Sequence, residues 1–93
     1  MSASEHERRL LRLLERVLSA FVPESRYCLD SSQRDGCMTL TNDGEKWLVF
    51  FRESPLIEDV TIHDTLEEAA LQLISNVAPS PEAENEMKAR FSV

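Results

Sequence analysis

The chain has 93 residues and a formal net charge of −7, and 42% of its residues are hydrophobic. This length predicts one domain, residues 1–93, whose core is too small for a large enclosed active site. The acidic balance disfavours nucleic-acid binding, which needs lysine and arginine, and favours a basic protein partner. The charge is uneven: residues 1–46 carry seven Lys/Arg against eight Asp/Glu, and residues 47–93 carry three against nine. The other interpretation is that the charge only keeps a small protein soluble.

The start of the chain interleaves apolar residues with charges and lacks the continuous apolar core of a signal peptide. No apolar run approaches the roughly 20 residues that span a bilayer. We therefore expect a cytoplasmic protein with no membrane association. Its two cysteines, Cys28 and Cys37, are most simply reduced in that compartment. A disulfide would require a loop that places them opposite each other.

Residues 5–21 are predicted to form an amphipathic helix. Ser4 and Glu7 have the spacing of a capping box at its start, and Pro23 ends it because the residue before a proline avoids helical geometry. The apolar residues of this segment recur at helical spacing and form one stripe: Leu10, Leu11, Leu14, Val17, Leu18 and Phe21.

Three segments then have the character of β-strands. Residues 26–30 form a short strand, and residues 37–41 alternate, with Met38 and Leu40 on one face. Asp43-Gly44 predicts a hairpin that leads into residues 46–53. A two-residue turn would place Leu40 opposite Trp47, and a longer turn would shift the pairs locally.

Residues 46–53 are the most apolar stretch and are predicted to be the central strand. Trp47, Val49 and Phe51 share one face, and Leu48 and Phe50 share the other. Both faces are therefore apolar, so a single layer of helices would leave one of them without an assured cover.

The rest of the chain predicts a weak strand and one or two helices. Ser54-Pro55 breaks the central strand, and residues 60–62 alternate enough for a fourth, weaker strand. Asp64 and Thr65 offer overlapping capping boxes for a helix that ends near residues 76–78. Ser80 and Pro81 favour a further helix over residues 82–90, with Met87 and Phe91 inward. Residues 80–93 are thus either a short docked helix or a frayed tail.

These elements predict an α+β fold of two layers. An antiparallel sheet of three to four strands is expected to carry an N-terminal and a C-terminal amphipathic helix on one face, the face of Trp47, Val49 and Phe51.

The sequence predicts no catalytic site, no metal site and no cofactor, so we do not expect an enzyme. A nucleophile needs a base within reach, and Cys37 with His63 would qualify only if their strands adjoin. The cysteines and histidines lack the close spacing of zinc ligands. The two glycines lie in turn contexts and form no phosphate-binding loop.

Two surfaces are candidates for binding a protein. One is acidic and follows the central strand; its members are Glu53, Glu58, Asp59, Asp64, Glu67 and Glu68. The other is the second face of the sheet, where Leu48 and Phe50 are either exposed or covered by Met87 and Phe91.

The pattern of elements resembles the small immunity proteins of bacterial polymorphic toxin and contact-dependent inhibition systems. The resemblance rests on residues within positions 27–77: Tyr27, Gly36, Trp47, Val49, Phe51, Glu53 and Thr65 through Ala70. It implies a cytoplasmic inhibitor that binds and neutralises a cognate toxin domain such as a nuclease. An acidic inhibitor would suit the basic substrate groove of a nuclease. The alternative function is a small adaptor or secretion chaperone that binds an effector protein. The adaptor favours a homodimer and the inhibitor allows a monomer, so the sequence leaves monomer or homodimer open.

Overall fold

The structure, a computed structural model, describes residues 4–29, 35–53 and 55–92. Its elements in chain order are α1 (Glu5–Phe21), a short 3-10 turn (Glu24–Arg26), β1 (Tyr27–Leu29), β2 (Cys37–Asn42), β3 (Trp47–Glu53), β4 (Leu56–His63), α2 (Leu66–Val77) and α3 (Pro81–Phe91). The predicted α+β fold with N- and C-terminal helices is confirmed. None of these helices is both long and apolar enough to cross a bilayer.

The helices begin where the capping residues predict. At α1 the Ser4 hydroxyl accepts from the Glu7 backbone N–H, and the Glu7 carboxylate accepts from the Ser4 N–H, which completes the capping box. The other carboxylate oxygen of Glu7 accepts from the Trp47 indole N–H at 3.3 Å. Glu7 therefore links the start of α1 to the start of β3. Thr65 caps α2 and Ser80 caps α3 through their hydroxyl groups.

The sheet has the order β1-β2-β3-β4, and one of its three pairings corrects the antiparallel expectation. β2–β3 and β3–β4 are antiparallel, whereas β1 is parallel to β2, with Tyr27 beside Met38 and Leu29 beside Leu40. Alternation in the sequence shows which residues share a face, but it carries no information on strand direction. β1 has only three residues, which is too short a segment for its sequence to indicate the direction of the strand.

The β2–β3 hairpin has a longer loop than a two-residue turn would give. Asn42 pairs with Trp47 and Leu40 pairs with Val49, so residues 43–46 form the loop. The Asp43 carboxylate accepts from the backbone N–H groups of Glu45 and Lys46, which stabilises this loop. The register moves by two residues, and because side chains alternate with period two, the predicted faces are unchanged.

The three helices form one core with one face of the sheet. Leu40 and Val49 are fully buried there, and Trp47 is buried beside them. The helices contribute core residues whose side chains are each less than a tenth exposed: Leu14, Val17, Leu18, Leu66, Ala69, Ala70, Leu73, Ile74, Met87 and Phe91. Because Met87 and Phe91 belong to this core, residues 81–91 are a docked helix and not a frayed tail. The C-terminal helix packs against α1 and α2, on the side of the sheet that α2 covers. We call that side the covered face and the opposite side the open face.

Candidate functional site

The strand β4 carries an unusual concentration of exposed apolar side chains. In the described part of the chain, the exposed large hydrophobic residues all lie on β4: Leu56 (60% exposed), Ile57 (52%), Val60 (50%) and Ile62 (65%). The alternation of residues predicts a weak strand only at residues 60–62, whereas β4 spans eight residues and starts directly after Pro55. We call Ile57, Val60 and Ile62 the β4 apolar row, because Leu56, which pairs with Glu53, lies on the other face of the strand.

A β-bulge explains how these residues come to lie together and why alternation missed them. Val49 pairs with Thr61 and Phe51 pairs with Glu58, so β4 has one residue more than β3 in this interval. Asp59 lies within it at φ 54°, a conformation that aspartate tolerates better than most residues. The extra residue changes the phase of the strand. Ile57, three positions before Val60, therefore falls on the same open face as Val60 and Ile62.

On the open face, the β4 apolar row lies beside residues of β3. Ile62 pairs with Leu48 and Ile57 pairs with Arg52, both on β3. Leu48 is half-buried, which leaves part of it beside Ile62 at the surface. Phe50, in contrast, is only 8% exposed, so of the two alternatives that the sequence left open, the covered one holds for Phe50.

The predicted acidic residues border β4 but do not gather at one point. Glu53 lies opposite Leu56 at one end, Glu58 and Asp59 lie in the middle, and Asp64 follows the last residue of the strand. Glu67 and Glu68 belong to the first turn of α2. Eight residues of strand extend about 25 Å, so these carboxylates form a border along the strand. All six are exposed.

The border divides into paired and unpaired carboxylates. Asp64 forms an ion pair with Lys46, and His6 lies 3.5 Å from Glu67. The hydrogen bond from Lys46, reinforced by its charge, lowers the pKa of Asp64, and the same contact raises the pKa of Lys46. Within the described ranges, no ion-pair partner faces Glu53, Glu58, Asp59 or Glu68. These four carboxylates leave the middle and one end of β4 with uncompensated negative charge.

The pairing register separates the residues that were considered for nucleophilic chemistry. Cys37 pairs with Arg52, whereas His63 pairs with Trp47, at the opposite end of β3 and on the opposite face. Five residues of strand separate these positions by about 16 Å. Cys37 instead contacts Cys28 on β1, with the two sulfur atoms 2.6 Å apart and both side chains buried. Thiols buried in this way react slowly with solutes.

No group of three or more potential metal ligands occurs among the described residues. A cavity of about 570 Å³ lies between the ends of α1 and α2 and the strands β2 and β3. Phe21, Met38, Phe51 and Val77 form much of its wall, and among the described lining residues Arg26 is the charged one. The described part of the wall pairs no nucleophile with a base and offers a groove of mixed polar and apolar surface with a cation at the side.

Comparison with models of protein families, with characterised proteins and with solved structures finds no match to this chain.

Proposed function

We propose that this chain is an immunity-type inhibitor, acting in the cytoplasm, that binds a basic toxin domain through β4 and its acidic border. The observation that carries the proposal is the β4 apolar row, whose three large side chains are each at least half exposed. Contiguous exposed apolar surface rimmed by charge is typical of protein interfaces. Its free energy of burial would supply affinity, and the surrounding carboxylates would select a basic partner.

The charge distribution supports the choice of a basic partner. Glu53, Glu58, Asp59 and Glu68 are exposed and have no ion-pair partner among the described residues. A positively charged substrate groove would meet them without the cost of breaking an internal ion pair. Long-range attraction would also raise the association rate at low salt.

A second candidate is an adaptor or secretion chaperone for an effector, with no inhibition. The observation that favours it is that β4 lies at the edge of the sheet, where an extended segment can pair. The two candidates differ in their effect on the partner. An inhibitor abolishes the activity of the bound toxin domain, whereas an adaptor leaves that activity intact. Mass measurement in solution also separates them, because the adaptor version favours a stable homodimer.

The test is to capture the partner from the native host and to measure its activity and association kinetics with the purified chain. We expect the wild-type chain to abolish partner activity. The double variant Glu53→Lys/Glu58→Lys should associate about tenfold more slowly and show a flatter dependence on salt. Asp59 is kept as it is, because lysine at its positive φ would strain the bulge.

The matched control is Glu15→Lys/Glu82→Lys, which changes the net charge equally with exposed residues on α1 and α3. Its association rate should change much less than that of the β4 variant. Equal rates for the two variants would contradict binding through the acidic border of β4.

A further inference from the structure

The strand β4 has the properties of a strand that another chain can extend. It is the terminal strand of the order β1-β2-β3-β4, and β3 occupies only one of its sides. A terminal strand presents backbone N–H and C=O groups on its outer side. Its eight residues exceed the usual five or six, and it is exposed over most of its length. Natural proteins usually keep an edge strand short or cover it.

The bulge gives the outer strand a usable side-chain surface. Because Asp59 resets the phase, Ile57, Val60 and Ile62 project from the same face over nearly the whole strand. In a pair of neighbouring strands, side chains on the same face contact each other across the pair. An added strand would therefore lay every second side chain against this row and continue the apolar open face.

A second copy of the chain fits this edge poorly. Pairing two copies of β4 about a two-fold axis through the middle of the strand would place Asp59 opposite Val60 and Glu58 opposite Thr61, so four carboxylates would lie close to the axis. Carboxylates this close repel each other, and each chain already carries −7. Pairing through residues 60–63 alone would avoid the acids but would leave only four residues. The charges thus oppose self-pairing and favour lysine or arginine in the incoming strand.

We propose that β4 binds an extended segment of a partner protein as a fifth strand of the sheet. The segment carries apolar residues at alternate positions, which pack on Ile57, Val60 and Ile62, and lysine or arginine near Glu58 and Asp59. This inference rests on the proposed function for the basic character of the partner, and it specifies the mode of binding. Backbone hydrogen bonds supply affinity, and the row and the two acids supply specificity.

The experiment uses three capped peptides of seven residues as probes of the full chain. In the first, valine alternates with lysine. In the second, glutamate replaces lysine. The third has the sequence of the first but carries N-methyl groups on alternate backbone nitrogens, which removes the donors along one edge. Binding is followed by the amide chemical shifts and the hydrogen exchange of residues 56–63.

We expect the lysine peptide to shift the amides of β4 and to slow exchange on its outer side. The glutamate peptide should produce no shift, because it meets Glu58 and Asp59 with like charge. The N-methylated peptide should bind at least tenfold more weakly, because it cannot donate the backbone hydrogen bonds along that edge.

Two variants test the same point from the side of the protein. Val60→Lys/Ile62→Lys should abolish binding of the lysine peptide, because it places positive charge on the row. Both side chains are at least half exposed, so the fold should tolerate the change. Ala20→Lys, at an exposed position of α1, is the control and should bind normally.

Equal binding of the N-methylated peptide, or the absence of any β4 shift with the lysine peptide at millimolar concentration, would overturn strand addition. Either result would leave the proposed function standing if Glu53→Lys/Glu58→Lys still slows association with the captured partner. If the captured partner associates equally fast with wild type and with Glu53→Lys/Glu58→Lys, the proposed function itself is contradicted.

Discussion

The two faces of the sheet come from the same alternating strands, yet they differ in what covers them. Leu40, Val49 and Trp47 face the three helices and are at most 5% exposed. On the open face, the side chains nearest β1 and β2 are buried, whereas those of β4 are at least half exposed. The difference shows that burial here depends on position across the sheet as well as on alternation. The covered face provides stability, and β4 is left available for contact with another molecule.

The difference between the covered face and β4 is tested most directly by removing one apolar side chain from each of them. Leu73 is fully buried between α2 and the sheet, so Leu73→Ala should lower the free energy of unfolding by about 3 kcal/mol. Ile62→Ala should change it by less than about 0.5 kcal/mol, because Ile62 is 65% exposed. Urea denaturation of both variants measures the two values. A large loss for Ile62→Ala would mean that β4 is part of the core.

A second prediction concerns the contact that holds α1 against the covered face. The Glu7 carboxylate accepts from Ser4 and from the Trp47 indole, so Glu7→Ala should lower the free energy of unfolding by about 1 kcal/mol. The control is Glu5→Ala, which removes only an exposed ion pair with Arg9 and should cost less. Thermal unfolding followed by Trp47 fluorescence compares the two. Equal losses would show that the link to Trp47 contributes nothing.

A third prediction concerns the hairpin loop that sets which residues meet on the covered face. Hydrogen bonds from the backbone N–H groups of Lys46 and Glu45 lower the pKa of Asp43 below its ordinary value of 3.8. A lowered pKa stabilises the fold above the ordinary value, and this contribution is lost as the pH falls through the folded-state pKa. The stability difference between wild type and Asp43→Asn should therefore be present at neutral pH and diminish below about pH 4.

Denaturation of both proteins across this pH range measures the effect of Asp43, with Glu45→Gln as the control. A difference that persists unchanged at low pH would show that the Asp43 charge is not what stabilises the loop.

The smallest expected effect lies at the end of the outer strand. Lys46→Met removes the cation that lowers the pKa of Asp64, so the pKa of Asp64 should rise toward its ordinary value. The pair is exposed, and stability should be almost unchanged. Carbon-detected NMR titration of the Asp64 carboxyl group measures the shift. An unmoved pKa would mean that the pair does not persist in solution.

The sequence predicted the local structure well wherever a signal is local. The capping box of Ser4 and Glu7 and the proline at position 23 gave the bounds of α1, and Ser80 with Pro81 gave the start of α3. The separation of Trp47, Val49 and Phe51 from Leu48 and Phe50 was also predicted, because period-two alternation survives a shift of two residues in the hairpin. The positions of the six acidic residues around β4 followed from their place in the chain.

Other features depended on contacts that no local pattern encodes. The direction of β1 depends on pairing with β2, and the burial of Phe50 depends on what lies over the open face. The β4 apolar row was missed for a specific reason. Ile57 is out of phase with Val60 and Ile62 in a regular strand, so alternation counted against the segment. A single residue in a left-handed conformation, Asp59, restores the phase.

The sequence by itself therefore determined α1, α2, the α+β class and the two faces of the central strand, because caps, prolines and periodicity act between residues close in the chain. Only the tertiary structure decided that α3 docks, with Met87 and Phe91 in the core, and that β4 forms an exposed edge. Those outcomes arise from competition among distant segments for the same apolar surface. Three helices occupy one face of the sheet, and the side chains of the last strand remain at the surface.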